Sequence, residues 1–268
     1  MNPTNIITVQ QAKTETVEIL NISIDNISKT KILRKLKQGG IVFTPNVDHI
    51  IKLQKDPDFY QIYKKADYRL CDSQMLMIAS RFLGTPIQEK ISGSDLFPAF
   101  YRHYAKDKSV KIFLLGGPPG AAQMAQKNIN NIVGREMVVD YYCPPFGFEE
   151  DTVECSKIVD KINNSGATVL AVGLGAPKQE KWIYEYKNSL KGIKTFFAIG
   201  ATIEFEAGFI PRAPQWMSLA GIEWLYRLIQ EPRRLWKRYL IEDTSFFFLI
   251  LLQKFNLYSK NNNRFGTK

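Results

Sequence analysis

Histidine and cysteine are scarce in this chain: two of the first and three of the second among 268 residues. His49 and His103 cannot build a His-rich metal site, and Cys71, Cys143 and Cys155 show no CxxC spacing. That leaves no zinc motif and no disulfide framework, and it fits a reducing, cytosolic compartment. The opening residues, Met1-Asn2-Pro3-Thr4, have neither the basic nor the apolar region of a secretory signal. The longest apolar run, Phe246–Leu252, is seven residues, whereas a membrane-crossing helix needs about 20. There is no internal repeat and no low-complexity linker. The GxGxxG fingerprint is absent too, which argues against a nicotinamide-dependent oxidoreductase. Asp56-Pro57-Asp58 spells a D-x-D, the pattern many glycosyltransferases use for a divalent metal. It falls inside a helix-like stretch, where an internal N-cap explains it better, so neither a metal nor a cofactor is expected.

What the chain does have is an apolar fraction of 45%, enough for a full core, and a net charge of +10. A basic chain seeks an acidic partner: a nucleotide, a phosphate, a nucleic acid or an anionic membrane. The charge is uneven. Residues 211–268 carry ten Lys/Arg against four Asp/Glu, while the first 210 carry 26 against 22. A boundary is expected at 208–214, where Gly208, Pro211 and Pro214 cannot continue a helix. This divides the chain into a core, 1–210, and a basic, aromatic, helical appendage, 211–268. In the appendage Trp216, Trp224, Tyr226, Trp236 and Tyr239 interleave with Arg227, Arg233, Arg234, Lys237 and Arg238, just before the Phe-rich run. Tryptophans beside an uncharged apolar run favour a lipid interface over nucleic acid. A helical pair packed on the core is the plain alternative.

Strand-like runs at 17–23, 40–43, 68–71, 110–115, 137–142, 168–173 and 194–199 alternate with amphipathic stretches near 49–65, 74–83, 95–105, 120–133, 151–164 and 177–190. This alternation predicts βαβ units and a mainly parallel α/β sheet flanked by helices. The carboxyl ends of such strands are where ligands bind. Thr44 and Asn46 follow one strand end and Asp72 another, so a hydroxyl, an amide and a lone carboxylate converge on one rim. Asp72 could equally cap the helix that follows, as Ser94 or Asp95 could cap the helix at 96–105. Gly116-Gly117-Pro118-Pro119-Gly120 is either an anion-binding strand–helix turn or a tight turn only. Gly175-Ala176-Pro177-Lys178-Gln179 places polar donors at a helix start on the same rim, with Pro177 suited to the first turn. The stiff Cys143–Phe148 loop reads first as a structural loop; the alternative is that its Phe146 stacks on a base.

Taken together, Thr44-Pro45-Asn46, Asp72, Ser92-Gly93-x-Asp95-Leu96, Phe113–Gly117, Pro144-Pro145-Phe146, Gly173-x-Gly175-x-Pro177-Lys178-Gln179-Glu180 and Arg212-Ala213-Pro214 resemble the WecG/TagA/CpsF glycosyltransferase family, in order from about residue 15 to 240. The resemblance implies a Rossmann-like core that moves a sugar from a UDP-sugar, with inversion and without a metal. The donor sugar would be N-acetylmannosamine or a related hexose or uronic acid. The acceptor would be a polyprenyl-diphosphate-linked sugar at the inner face of the cell membrane, in cell-surface polysaccharide or teichoic acid synthesis. It implies Asp72 as base, with Thr44 and Asn46 near the sugars and Gln179 in the donor pocket. Arg227 and Arg234, with Lys237 or Arg238, would meet the diphosphate. Lys90, Asp95, Gly116, Gly117, Phe146, Gly175 and Lys178 complete the expected binding set. Two departures stand out: Ser73 where the family commonly has Gly, and Lys90 where it often has Arg, a point charge in place of a fork. The expected partners are the donor, the lipid-linked acceptor and an anionic membrane surface, with no nucleic acid and with room for a homo-oligomer. The rival from another class is a non-catalytic UDP-binding membrane adaptor.

Overall fold

The computed structural model describes residues 15–214, 216–217 and 222–259; the side chains of Arg234, Arg238 and Leu240 lie outside that description. The strands are β1 (Thr16–Ile19), β2 (Ile22–Asp25), β3 (Gly40–Phe43), β4 (Tyr68–Arg69), β5 (Ile112–Gly116), β6 (Val138–Tyr142), β7 (Val169–Gly173) and β8 (Thr195–Ala198). The helices are α1 (Lys29–Lys35), α2 (Val47–Lys55), α3 (Pro57–Lys64), α4 (Gln74–Leu83), α5 (Gly93–His103), α6 (Ala121–Val133), α7 (Thr152–Asn164), α8 (Lys178–Tyr186) and α9 (Thr202–Ala207). Three more follow: α10 (Glu223–Gln230), α11 (Pro232–Lys237), which runs into a π-helical turn at Arg238–Glu242, and α12 (Ser245–Lys254).

Strands β3 to β8 form one six-stranded sheet in the order β4-β3-β8-β7-β5-β6, parallel throughout. Helices cover both faces, so the central strands are buried along nearly their whole length. Alternate side chains feed opposite cores. Phe113, Leu115, Leu170, Val172 and Phe196 pack with α2, α3, α4, α7, α8 and α12. Ile112, Leu114, Val169, Ala171 and Phe197 pack with α1, α5, α6 and α9. This is the doubly wound, Rossmann-like sheet expected. Helix α2 leaves β3 on one face and α9 leaves the neighbouring β8 on the other, which opens a crevice at the carboxyl ends of the strands.

Two expectations are corrected. The run at 17–23 is not a strand of the main sheet. It folds back at Leu20-Asn21 into the antiparallel β1–β2 hairpin, with Ile19 opposite Ile22. The amphipathic stretch at 49–65 is two helices, because Asp56 leaves helical geometry and Pro57 opens α3. Asp56 caps that helix by accepting the Phe59 amide at 2.9 Å, and it pairs with Lys181 at 2.7 Å, so the D-x-D is a structural cap.

The end of the chain returns to its beginning. In α12, Phe246 and Ile250 are buried in the first core. Gln253 accepts the Leu20 amide at 2.8 Å and donates to the Glu18 carbonyl at 3.1 Å. The opposite side of α12 exposes Phe247, Phe248 and Leu251, and α4 exposes Ile78 and Phe82. Among the described residues no helix is long and apolar enough to cross a membrane.

Candidate active site

A cavity of about 380 Å³ opens at the carboxyl ends of β3 and β4. Its floor comes from the core: Asn46, Val47, Asp48, Asp72, Ser73, Gln74 and Met75. Its roof comes from the far end of the chain: Glu223, Trp224, Arg227, Tyr239, Asp243 and Phe247. Lys90 closes one side. Trp224 and Tyr239 meet edge to face, with ring centroids 6.0 Å apart.

Local rules explain how the floor is laid. Asn46 ends the extended segment after β3 and caps α2, its Oδ1 accepting the His49 amide at 3.1 Å. Ser73 caps α4 by accepting the Leu76 amide, which relieves Asp72 of that task. The Asp72 amide donates to the Pro45 carbonyl at 3.0 Å, tying the two strand-end loops together. Burial lifts the Asp72 carboxyl to about 7; Arg227 pulls it down, Glu223 pushes it up, and Lys90 and Asp95 add smaller opposing effects. Such a group is half ionised near neutral pH and can take up a proton there.

Arg227 is held on two sides. Its guanidinium lies 5.4 Å from the Phe205 ring centroid, and its Nη2 donates to Glu223 Oε1 at 2.8 Å. Burial disfavours its charge, but Glu223 and Asp72 more than restore it. The Lys90 ammonium lies 4.0 Å from both Asp95 and Glu223. Asp95 does not cap α5; Ser92 does, accepting the Asp95 amide at 3.1 Å. The Asp95 carboxylate takes the Ser92 hydroxyl at 2.8 Å and Arg212 at 2.5 Å. Despite burial, these partners hold its carboxyl below the usual aspartate value.

The structure therefore brings together Asn46, Asp72, Lys90 and Arg227, with Asp95 behind Lys90. It does not bring Thr44 into the cavity wall. That side chain is buried, and its hydroxyl packs where a side chain on Gly93 would have to go, 3.3 Å away.

The remaining expected residues form a second group at the ends of β5, β6 and β7. A Cβ on Gly116 would lie 2.5 Å from the Gly173 carbonyl, and the Gly117 amide donates to that same carbonyl at 3.1 Å. The Gly117 amide is thus used by the sheet rather than offered to an anion. Phe146 is fully exposed, with the Lys178 ammonium 4.8 Å from its ring centroid; Lys178 also pairs with Glu149. Gly175 accepts the Gln179 amide at 3.0 Å. Pro177 stands one position outside α8, as its cap. Gln179 is buried, its Oε1 accepting the Gly200 amide at 3.0 Å and its Nε2 donating to Glu180 Oε1 at 2.9 Å. Glu180 is wholly buried and its Oε2 has no hydrogen-bond partner. Burial lifts its carboxyl to about 7, against the Gln179 hydrogen bond and the Lys52 charge.

Sequence reasoning missed Glu223, Trp224, Tyr239 and Asp48 as cavity residues, and Glu180 as a buried acid. Glu223 alone carried a local signal, its i,i+4 spacing to Arg227. Among the described residues no group of three or more His, Cys, Asp or Glu side chains is placed to hold a metal ion.

Comparison with known proteins agrees with this architecture. Residues 17–260 match the model of the "Glycosyl transferase WecG/TagA/CpsF family". Over 217 residues the chain is 28% identical to the Bacillus subtilis (strain 168) protein named N-acetylglucosaminyldiphosphoundecaprenol N-acetyl-beta-D-mannosaminyltransferase, covering 81% of this chain and 80% of that protein. With nearly the whole chain matched and the expected sheet in place, this protein belongs to the WecG/TagA/CpsF family and is a glycosyltransferase.

Proposed function

We propose that this enzyme transfers N-acetylmannosamine, or a related hexose or uronic acid, from a UDP-sugar to a polyprenyl-diphosphate-linked sugar, inverting the anomeric carbon without a metal. The observation that carries the reading is Asp72: a carboxyl lifted to about 7 in a cavity that also presents the cations Arg227 and Lys90. In the proposed step Asp72 takes the proton of the acceptor hydroxyl as that oxygen attacks the anomeric carbon. The bond to the UDP oxygen breaks, and Arg227 and Lys90 meet the charge that develops on the diphosphate. Asn46 lines the floor beside Asp72 and orients the sugars. Thr44 acts from behind, by fixing the start of α5. Phe146, Lys178 and the turn at Gly175 are assigned to the nucleotide half of the donor.

We take 1–210 as the catalytic core and 211–268 as an appendage that roofs the site and meets an anionic membrane. The name of the Bacillus subtilis relative supports the lipid-linked acceptor and the mannosaminyl donor. The exposed Phe248, Leu251 and Phe82, with the Lys254 ammonium 5.5 Å from the Phe82 ring centroid, support peripheral attachment at the inner membrane face. The test is a screen of UDP-sugars against a polyprenyl-diphosphate-linked N-acetylglucosamine acceptor, read by product mass. A product one N-acetylhexosamine heavier, with β stereochemistry and formed in the presence of a chelator, is expected. No sugar-extended product from any donor would overturn the reading.

A further inference from the structure

Glu223 sits where the proposed chemistry would least favour a carboxylate, on the roof of a cavity assigned to a diphosphate. It is part of the first turn of α10, and its two oxygens serve two cations. Oε1 accepts Arg227 Nη2 at 2.8 Å, and Oε2 lies 4.0 Å from the Lys90 ammonium. A planar guanidinium recognises a phosphate through paired N–H groups, and Glu223 holds one of those N–H groups on Arg227. Arg227 has a separate, uncharged anchor in the Phe205 ring. It therefore keeps its place without Glu223. The Glu223 side chain is 31% exposed, so water can take over its solvation if it swings away, and its ion pairs are of the partly screened kind.

We infer that Glu223 competes with a substrate diphosphate for Arg227 and Lys90, so that the diphosphate binds by exchanging one anion for another. This rests on the glycosyl-transfer reading above for the identity of the anion. A diphosphate beside Asp72 and Glu223 would face both carboxylates; displacing Glu223 leaves its charge in solvent, releases the Arg227 N–H group it held and takes its carboxylate away from Lys90, which still faces Asp95. The exchange sets a threshold, because a single weak anion such as chloride does not replace the paired contacts that a diphosphate offers. The alternative, that Glu223 merely aims Arg227, predicts the opposite effect of removing its charge.

The experiment compares full-length wild type with Glu223→Gln by calorimetric titration of inorganic pyrophosphate, UDP and farnesyl diphosphate at fixed ionic strength. The variant is expected to bind roughly two- to fivefold more tightly, the release of a partly exposed ion pair. A gain for UDP alone assigns the exchange to the donor, and a gain for farnesyl diphosphate alone assigns it to the acceptor. The gain should vanish when Arg227→Gln is added. Unchanged or weaker binding of all three ligands overturns the inference. A second readout is the pH profile of transfer. The groups acting on Asp72 are Arg227, Glu223, Lys90 and Asp95; removing the Glu223 charge should move the acid limb of kcat/KM, which reports the free enzyme, to lower pH and leave that of kcat, where the diphosphate has already displaced Glu223, in place; a kcat limb that moves as far counts against the exchange. Should wild type neither bind UDP nor transfer sugar while pyrophosphate still binds the variant more tightly, the glycosyl-transfer reading fails and the exchange stands.

Discussion

Glu180→Gln should make this protein more stable, by an amount that grows with pH. The wild-type carboxyl is wholly buried, shares one oxygen with the Gln179 amide and leaves the other without a partner. Its folded value is about 7, against an ordinary 4.5. A carboxyl whose value is raised on folding favours the folded state fully below pH 4.5, where both states are protonated. That contribution is lost as pH rises to 7, because the unfolded chain ionises freely and the folded one does not. At about 1.4 kcal/mol per unit, the loss reaches about 3 kcal/mol above pH 7. Glutamine keeps the shape and can still accept from Gln179, but it has no proton to lose. Asp72 titrates identically in both proteins and cancels from the difference. Urea unfolding at pH 4.5, 6 and 8 should therefore show the two proteins close together at the lowest pH. At pH 8 the variant should lead by about 3 kcal/mol, or roughly 6–12 °C in Tm for a domain of this size. A difference that does not change with pH, or a variant less stable at pH 8, would refute the assignment of Glu180 as a buried acid held near neutrality.

Asp72→Asn should cut turnover by about 10²- to 10⁴-fold while UDP affinity stays within a few fold, as read by steady-state kinetics beside calorimetry. In the wild type, a base near 7 predicts that the rate at pH 6 is about a tenth of its plateau, so a flat profile from 5.5 to 8 would remove Asp72 as the base. Gly116→Ala should lower Tm sharply, since the new Cβ would lie 2.5 Å from the Gly173 carbonyl at a φ of +110°; an unchanged Tm would mean the strand ends can part. Phe248→Ser with Leu251→Ser should release the protein from anionic liposomes in a flotation assay without loss of Tm, because both side chains are exposed.

The sheet was legible because buried parallel strands are short apolar runs and the helices between them are amphipathic. Asp72 was legible as a polar residue delivered by a strand end, but its freedom from capping was not; that depended on whether Ser73 or Asp72 turned toward the Leu76 amide, a choice of one rotamer. The hairpin at Leu20-Asn21 was missed because a continuous apolar pattern hides a two-residue reversal that lacks glycine. Thr44 looked like a site residue because it follows β3 directly, yet its side chain is buried against Gly93, outside the cavity lining. Of the roof, the resemblance pointed to Arg227 alone, which the cavity does contain; nothing local to Trp224 or Tyr239 says that they will lie over Asp72, and the spacing of Glu223 to Arg227 says only that the two can pair.

The attachment of α12 to the β1–β2 hairpin has a consequence for the order of assembly. Leu20 finds its hydrogen-bond partner in Gln253, 233 positions later. Contacts of such span are the slowest for a chain to close. During synthesis every strand of the sheet precedes the roof, the last of them, β8, ending at Ala198 and the roof beginning at Glu223. The floor is then open to water on its upper side, and Asp72 lacks the burial that raises its carboxyl in the finished structure. On the proposed reading of the site, competence for transfer would arrive as a last step, when one end of the molecule is fastened to the other, and a clipped chain would have no closed chamber.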